Sequence, residues 1–345
     1  LVMAWTTPLY SRQEVNAAGK SYISSTASKE EKELARAVIN NWRSSHSFPL
    51  NTFQMNLRKA ASRVDQDMTV ARRIKRLPSI RHKLERLPNM KLSQMQDLGG
   101  CRAILTSVDE VEDLADHYRS RSRIKHKLLK EYQYIQNPKD SGYRGIHLVY
   151  AYKSDEKDTY NGLRIEMQLR SHQQHAWATA VETVGTFTQQ ALKSSWGEAD
   201  WLRFFALMSS AMAMREGRPI VPGTPEDYKA LLKELSSLSK RLKVIDRLAA
   251  YGEALRTVED VHAKRGHVFL LDLDIHENEL TIRTFESALK AADEYAALEA
   301  ATEGEEGKDV VLVSAESVTA LQRAYPNYFL DTTAFLVSLR SILDD

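Results

Sequence analysis

The sequence has little cysteine and no long apolar run. Cys101 is the single cysteine in 345 residues, so an internal disulfide bond is excluded and nothing indicates an oxidising compartment. No stretch approaches the roughly 18 consecutive apolar residues of a membrane-spanning helix. The N-terminal LVMAW is too short for the core of a signal peptide. The GxxxxGK[ST] phosphate-binding loop is also missing. These absences predict a cytoplasmic protein with no membrane partner and no P-loop nucleotide site.

Charge is distributed unevenly along a chain of ordinary globular composition. Residues 63–145 contain 18 Lys/Arg and 11 Asp/Glu, a local charge of +7, whereas residues 251–345 contain 8 and 19, a local charge of −11. A basic front indicates an anionic ligand such as a nucleotide or nucleic acid, and the acidic rear can dock on it. Two solvated surfaces that merely differ in sign explain the same numbers.

Hydrophobic spacing predicts both helices and strands. The strand candidates are 101–106, 145–152, 163–170, 267–274, 279–285 and 310–314. The helix candidates are 29–45, 51–66, 109–119, a run from 171, a segment around 201–212, and then 224–250, 286–300, 315–323 and 331–343. For the 224–250 helix, the TPED segment predicts Thr224 as the N-cap and Pro225 as the first helical residue.

Two carboxylates lie on or directly before predicted strands. Glu166 lies on the polar face of the alternating 163–170 segment, and Asp97 precedes Gly99 and Gly100 just before the first strand candidate. Carboxylates at the ends of neighbouring strands can hold Mg²⁺, which takes one or two of them together with substrate phosphates. Such an ion neutralises phosphate charge and helps to activate an attacking hydroxyl. By spacing alone, an Asp before Gly-Gly is more often an ordinary turn.

The segment RRIKRLPSIRHKLER at 72–86 is strongly basic. Its cationic and hydroxyl side chains can surround a triphosphate, with Arg as a planar fork and Lys as a point charge. The residues concerned are Arg73, Lys75, Ser79 and Lys83. A basic helix face in solvent or on RNA is the alternative interpretation.

The segment PKDSGYRGIH at 138–147 places Tyr143 beside Arg144, followed by His147 on the next strand candidate. An exposed tyrosine next to an arginine is a suitable stacking surface for a nucleic-acid base. An ordinary loop tyrosine fits the same pattern.

Four motifs occur in a fixed order and resemble the synthetase domain of the RelA/SpoT alarmone synthetases over about residues 10–190. They are R-I-K-x-x-x-S-I-x-x-K-L, D-L-G-G-C-R, N-P-K-x-x-G-Y-R-x-I-H and E-M-Q-L-R. The resemblance implies an α/β (α+β) nucleotidyltransferase-like fold, with a mixed sheet and flanking helices. It also implies Mg²⁺-dependent transfer of pyrophosphate from ATP to a ribose hydroxyl.

The positions within these motifs imply a role for each site residue. The ATP-binding residues would be Arg73, Lys75, Ser79, Lys83 and Arg102. Asp97 would hold Mg²⁺, and Glu166 would bind the metal or act as general base. The acceptor site would consist of Tyr143, Arg144, His147, Gln168 and Arg170, with Tyr143 matching the residue that stacks on guanine in alarmone makers. His175 also matches a family position.

The rear of the chain resembles a particular subclass. No HD dipeptide is present, so we expect no hydrolase domain of the family, and we expect no long regulatory tail either. Residues 251–345 resemble the rear domain of CapRel-type proteins, in which a toxic synthetase is fused to its own antitoxin. That domain resembles a zinc finger without its metal ligands. Since 251–345 contains no Cys and only His262, His267 and His276, no zinc is expected.

The CapRel resemblance implies a self-inhibited toxin. Its acceptor would be the 3′-terminal adenosine of the tRNA CCA end, so that translation stops. A phage structural protein such as the major capsid protein would release the inhibition by binding the rear domain. A Y-x-x-Y match assigns the inhibitory pair to Tyr325 and Tyr328, whose rings can replace adenine on the ATP-binding arginines. Alanine at either position is then expected to make the protein constitutively toxic.

The basic cluster at 119–130 and the function of the chain each have more than one interpretation. The basic cluster at 119–130 can hold the phosphates of a tRNA acceptor stem, or it is a solvated charged segment. A small alarmone synthetase acting on GDP or GTP is the main alternative, and a non-enzymatic RNA-binding module is a third. We predict a synthetase domain at 1–195, a helical connector at 196–250 and an acidic sensor domain at 251–345. The resemblance to the fused toxins implies a monomer.

Overall fold

The computed structural model describes residues 5–121, 124–191, 198–253, 255–260, 268–302, 305, 307–315 and 317–345. Within these ranges, no helix combines the length and the apolar character that a membrane crossing requires. The predicted domain boundary at 195/196 lies outside the described residues, as do His262 and His267.

Three helices of the front half begin at strong local signals. The helices of this half are α1 (Arg12–Ile23), α2 (Lys29–Ser44), α3 (Ser47–Ala61), α4 (Leu77–Arg86), α5 (Val108–Asp116), α6 (His172–Ala191) and α7 (Glu198–Arg215). The later helices are α8 (Tyr228–Leu242), α9 (Val244–Glu253), α10 (Ala288–Ala301), α11 (Val318–Ala324) and α12 (Thr333–Leu343). Ser11, Ser28 and Ser107 each form a capping box with a glutamate three residues later, which satisfies two otherwise unpaired donors at each helix start.

The strands are β1 (Thr69–Ile74), β2 (Gly99–Leu105), β3 (Lys127–Gln133), β4 (Ile146–Ala151), β5 (Arg164–Ser171), β6 (Arg256–Asp260), β7 (Val268–Asp274), β8 (Glu279–Phe285) and β9 (Lys308–Ser314). Among the described residues they form one sheet in the order β3-β4-β5-β2-β1-β9-β7-β8-β6. The pairs β2–β5 and β6–β8 are parallel and the other neighbours antiparallel. The predicted α/β fold with a mixed sheet and flanking helices is confirmed, whereas the zinc-finger-like character of the rear stays a prediction.

Strands from the front and the rear of the chain share this sheet. β1 pairs with β2 over its full length, and its other edge pairs with β9 where Arg72 faces Ser314 and Arg73 faces Val313. The predicted rear domain therefore continues the sheet that carries the predicted synthetase motifs. The division into three domains stays a prediction.

The two faces of the front sheet are covered differently. Helices α3 and α5 bury one face against the apolar positions of β2, β4 and β5, including Phe53, Ala103 and Met167. A second core joins helices α6–α9 with α12, through Phe335 and Leu339. The end of the chain is thus packed against helices that directly follow the front half.

Two details of the predicted 224–250 helix were wrong. The N-cap is Asp227, whose carboxylate accepts a 2.8 Å hydrogen bond from the Ala230 amide, and α8 begins at Tyr228. Thr224 is not the cap because its hydroxyl donates to the carbonyl of Val221 at 2.7 Å. The helix also stops at Lys243, which has a left-handed φ of 50° and separates α8 from α9.

Two strands lie where the sequence indicated only basic segments. Residues 127–133 form the edge strand β3, although they end the 119–130 cluster, and the start of the 72–86 segment belongs to β1. Both strands are held by backbone pairing with a neighbour. Their charged side chains hide the apolar alternation on which a prediction depends.

Candidate active site

The register of the sheet gathers predicted site residues on one face. His147 on β4 lies opposite Gln168 on β5, which in turn lies opposite Arg102 on β2. The adjacent row consists of Glu166, Gly100 and Arg73. Cross-strand neighbours point to the same face of a sheet, so the alternation predicted for β5 aligns with polar positions on the strands around it.

Asp97 forms ion pairs with two lysines at the edge of this face. Lys75 Nζ lies 2.7 Å from Oδ2 and Lys83 Nζ lies 2.9 Å from Oδ1. Burial alone would raise the pKa of Asp97, but the two ammonium groups outweigh it and lower the pKa to about 2. Asp97 is therefore a carboxylate at every physiological pH. Ser79 is half-buried on α4, one helical turn before Lys83, and so shares its face of the helix.

Glu166 lies at the centre of the polar face and is buried. Its Oε1 is 3.0 Å from His147 Nδ1, and its Oε2 accepts a 2.8 Å hydrogen bond from Gln168. Burial opposes the negative charge, yet the hydrogen bond and the charge of His147, together with the hydrogen bond from Gln168, outweigh it, so the pKa of Glu166 lies below its usual value. Glu166 is thus a charged, oriented oxygen ligand or proton acceptor.

Tyr143 extends this network toward the solvent side. Its hydroxyl is hydrogen-bonded to His147 Nε2, and Arg170 Nε donates to the same hydroxyl at 3.1 Å. The Arg170 guanidinium also lies 5.0 Å from the centroid of the Tyr143 ring. With the His147 hydrogen on Nδ1, a continuous relay runs from Arg170 through Tyr143 and His147 to Glu166.

Arg102 is covered by a residue from the rear of the chain. Its guanidinium carbon lies 5.0 Å from the centroid of the Tyr325 ring, and its Nη1 donates to the carbonyl of Ala324 at 3.1 Å. Burial, followed by the charge of Arg170, lowers the pKa of Arg102 to about 10. The contact combines a cation–π interaction with a bond to an unpaired carbonyl at the end of α11.

A small cavity remains where these elements meet. Its volume is about 30 Å³, and it is lined by Arg73, Lys75, Asp97, Gly100, Cys101, Arg102, Glu166, Gln168 and Tyr325. One water molecule occupies a similar volume in the liquid, roughly 30 Å³. Tyr325, whose ring lies on Arg102, lines this cavity together with the predicted ATP-binding and catalytic residues.

Tyr328 lies beside Tyr325 in the same apolar cluster. Both rings are 1% exposed and their centroids are 6.5 Å apart. Tyr328 packs in the apolar cluster of the rear strands with residues such as Phe269 and Val311. Burial opposes the charge of Arg73, but nearby Tyr328 and, less strongly, Tyr325 raise its pKa, so both tyrosines lie near this predicted ATP-binding residue.

Arg144 is not brought together with the other predicted acceptor-site residues, and its assignment to that site stays a prediction. Its guanidinium forms a buried ion pair with Glu216 and donates to the Ser209 hydroxyl at 3.2 Å, both beyond the sheet face. The backbone at Gly142 has a φ of 93°, a turn that glycine adopts readily. The neighbouring side chains of Tyr143 and Arg144 therefore serve different parts of the protein.

Two contacts with the rear of the chain have only weak signals in the sequence. His175, noted only as a family position, lies 3.1 Å through Nε2 from the carbonyl of Arg323, and burial lowers its pKa well below the usual value. Glu299 forms a buried ion pair with Arg43 and accepts a 2.7 Å hydrogen bond from the amide of Leu77. Its signal is a lone acid within the apolar run YAALEAA.

The cavity offers oxygen ligands of the kind that Mg²⁺ prefers. Asp97 and Glu166 both line it, and both have lowered pKa values. Groups of three or more His, Cys, Asp or Glu able to hold a metal do not occur within the described ranges. Two carboxylates nevertheless fit Mg²⁺, because nucleotide phosphates and water complete its shell.

Comparison with known proteins finds a family and a curated relative that match part of this chain. Residues 72–189 match the family described as a region found in RelA/SpoT proteins. GTP pyrophosphokinase YjbM of Bacillus subtilis (strain 168) is 30% identical over 112 residues, which are 32% of this chain and 52% of that protein. The chain thus spans about half the length of this curated relative.

Solved structures of small alarmone synthetases are also similar. The small alarmone synthetase 1 of Bacillus subtilis bound to its product pppGpp is 23% identical, with 53% of this chain and 92% of that chain covered and a TM-score of 0.41. A GTP pyrophosphokinase family protein from Streptococcus pneumoniae is 23% identical, with 49% and 86% covered and a TM-score of 0.40. The family match begins within β1 and includes β2, β3, β4 and β5 together with Asp97, Glu166 and Tyr143. The sheet face that carries these side chains therefore lies within the part of the chain, residues 72–189, that matches the RelA/SpoT family model.

Proposed function

We propose that the chain is a pyrophosphokinase that transfers the β,γ-pyrophosphate of ATP to a ribose hydroxyl. The observation that carries this proposal is the pair of charged clusters around one cavity within the RelA/SpoT region. Asp97 with Lys75 and Lys83 forms one cluster, and Glu166 with His147 forms the other. Phosphoryl transfer depends mainly on positioning and charge stabilisation, which such clusters supply.

The donor side would hold the phosphates and adenine of ATP. Arg73, Lys75, Ser79 and Lys83 would bind the phosphates, and Arg102 would stack on adenine as it now stacks on the Tyr325 ring. When bound, Mg²⁺ would neutralise phosphate charge, with Asp97 and Glu166 as its protein ligands. Lys75 and Lys83 would then exchange Asp97 oxygens for phosphate oxygens.

The acceptor side would hold a nucleotide on Tyr143. Its ribose hydroxyl would attack the β-phosphorus, forming an oxygen–phosphorus bond while the bond to the α,β-bridging oxygen breaks and AMP leaves. Glu166 would take the hydroxyl proton, oriented for this by His147 and Gln168. Arg170 would hold the Tyr143 ring in place.

We infer that the rear of the chain inhibits this reaction. A cavity of about 30 Å³ is far below the roughly 300 Å³ or more of a typical small-molecule site, so ATP and Tyr325 exclude each other. Withdrawal of residues 323–325 from Arg102 and His175 would open the site. We propose a phage structural protein such as the major capsid protein as the trigger, supported by the CapRel resemblance of the rear domain.

The proposed acceptor is the 3′-terminal adenosine of tRNA, whose modification would block translation. The local charge of +7 over residues 63–145 supports a polyanionic acceptor. GDP or GTP is the second candidate, and the 30% identity to a protein named GTP pyrophosphokinase favours it. Both acceptors fit a base-stacking tyrosine.

The two candidates can be separated by one labelling experiment. The full chain carrying Tyr325→Ala is incubated with γ-³²P-ATP, Mg²⁺ and either deacylated tRNA or GDP and GTP. Label on tRNA that disappears after removal of the CCA end supports the leading proposal, and label on guanosine nucleotides alone supports the second. The additional substitution Glu166→Gln should lower either signal by roughly 10²- to 10⁴-fold. A signal that survives this change would reject the proposed chemistry.

A further inference from the structure

A second pair of aromatic rings lies beside Tyr143. Tyr132 and Tyr134 have ring centroids 5.6 Å apart and planes inclined by 11°, which is an offset stack. Tyr132 lies opposite His147 in the sheet, so this pair shares the face of the proposed active site. Both rings are half-buried and so present part of their surface to solvent.

The pair is joined to Tyr143 by geometry and by charge. The Tyr134 and Tyr143 ring centroids are 5.7 Å apart, with planes inclined by 74°. Lys139, whose side chain is exposed, places Nζ 4.2 Å from the Tyr134 centroid and 5.2 Å from the Tyr143 centroid. The ammonium group of Lys139 therefore lies between the two steeply inclined rings of Tyr134 and Tyr143.

We propose that Tyr134, supported by Tyr132, stacks on the base of the nucleotide that precedes the acceptor nucleotide. Two bases on steeply inclined rings would be splayed apart, as in proteins that recognise single-stranded RNA ends. Lys139 would meet the phosphate that links them. This inference rests on the proposed function with an RNA acceptor, and it makes the second base a determinant of specificity.

The phosphate contact alone would not distinguish the acceptors. GDP and GTP also carry a phosphate on the 5′ oxygen, which Lys139 can reach as well as a phosphodiester. Only the surface of Tyr134 and Tyr132 reads a feature that a mononucleotide lacks. A base stacked on an aromatic side chain contributes about 1–3 kcal/mol, or about 5- to 150-fold in affinity.

The experiment compares acceptors of increasing length on the full chain carrying Tyr325→Ala. AMP, CpA and CpCpA are tested as acceptors of label from γ-³²P-ATP. We expect kcat/KM to rise by about 5- to 150-fold from AMP to CpA. Tyr134→Leu should reduce that gain at least fivefold, and Tyr134→Trp should restore it. Tyr10→Leu changes another half-buried tyrosine, in the cluster of α1 and α2, and is the matched control.

Three results would overturn the proposal. CpA no better than AMP would remove the second-base site while leaving an RNA acceptor in place. An equal loss with AMP and CpA in Tyr134→Leu would show that Tyr134 only supports His147, whose ring centroid is 5.4 Å away. Label on GDP or GTP alone would reject the RNA acceptor together with this site. Fluorescence anisotropy of 5′-labelled CpCpA on the chain that retains Tyr325 makes the same comparison between Tyr134 and its variants through binding affinity, without turnover.

Discussion

The carboxylate of Glu299 on α10 and the guanidinium of Arg43 on α2 form an ion pair that is almost completely buried, at 5% and 2% exposure. Glu299 also accepts hydrogen bonds from the Tyr295 hydroxyl at 2.6 Å and from the Leu77 amide at 2.7 Å. The Leu77 amide belongs to the first residue of α4, the helix of Ser79 and Lys83. A carboxylate from the rear of the chain thus occupies the positive end of this helix.

Burial of this pair leads to the first prediction. Removing one partner leaves the other charge unpaired in the interior, so Glu299→Gln should lower the free energy of unfolding by about 3–5 kcal/mol. Urea denaturation measures this. Glu294→Gln is the matched control, because Glu294 lies on the same helix, is about half exposed and has only a 3.9 Å ion pair with Arg283. Equal effects of the two substitutions would contradict a stabilising role of the buried Arg43–Glu299 ion pair. Replacement of both partners, Arg43→Met with Glu299→Leu, should recover part of the loss.

The position of Tyr325 leads to the second prediction. Tyr325→Ala should raise the affinity for a fluorescent ATP analogue at least tenfold, because the ring that fills the site is removed. It should also destabilise the fold by about 3–5 kcal/mol through lost packing. Tyr325→Phe keeps the ring and should bind ATP as weakly as the unsubstituted chain. Tyr328→Ala should cost similar stability and should also raise ATP affinity, because Tyr328 lies close to the predicted ATP-binding residue Arg73. Unchanged ATP affinity in Tyr325→Ala would contradict the proposal that the Tyr325 ring blocks the ATP site.

The lowered pKa of Asp97 leads to a prediction of pH dependence. Its folded pKa of about 2 lies below the ordinary 3.8, so the ionised carboxylate stabilises the fold above pH 4 and loses this effect as pH falls toward 2. The shift corresponds to about 2 kcal/mol at neutral pH and about half of that near pH 3. Asp97→Asn should therefore differ most from the parent above pH 5. Chemical denaturation between pH 3 and 7 tests this, and a pH-independent difference would exclude the linkage.

The ion pair of Arg144 leads to a prediction that separates stability from binding. Arg144→Ala should lower the free energy of unfolding by about 3–5 kcal/mol, because Glu216 loses its buried partner. Arg170→Ala should instead raise the KM for the acceptor, since Arg170 holds the Tyr143 ring. Measurement of stability and KM for both variants checks the assignment. A raised acceptor KM in Arg144→Ala with normal stability would restore Arg144 to the acceptor site.

Strands β5 and β1 show what could and what could not be predicted from the sequence. Strict alternation in 163–170 was enough to predict both the strand and the polar face that presents Glu166 and Gln168. β1 was missed because Arg72 and Arg73 conceal its pattern. Its backbone nevertheless pairs on both sides, because strand pairing satisfies N–H and C=O groups whatever the side chains. The ion pair of Arg144 with Glu216 joins residues 72 positions apart, so no local pattern around Arg144 could predict it.

Local sequence determined the elements and their order, since capping residues, alternation and helical spacing act over a few residues. The motif residues Asp97 and Glu166 could therefore be predicted to lie close together, at the ends of neighbouring strands. The Y-x-x-Y match also implies Tyr325 at the ATP-binding arginines, whereas tertiary structure alone decided that Glu299 caps α4. The contacts of Arg102 with Ala324 and of Leu77 with Glu299 each join residues 222 positions apart. Such pairings depend on which surfaces bury the most apolar area and neutralise the most buried charge across the whole chain, and no local pattern records that choice.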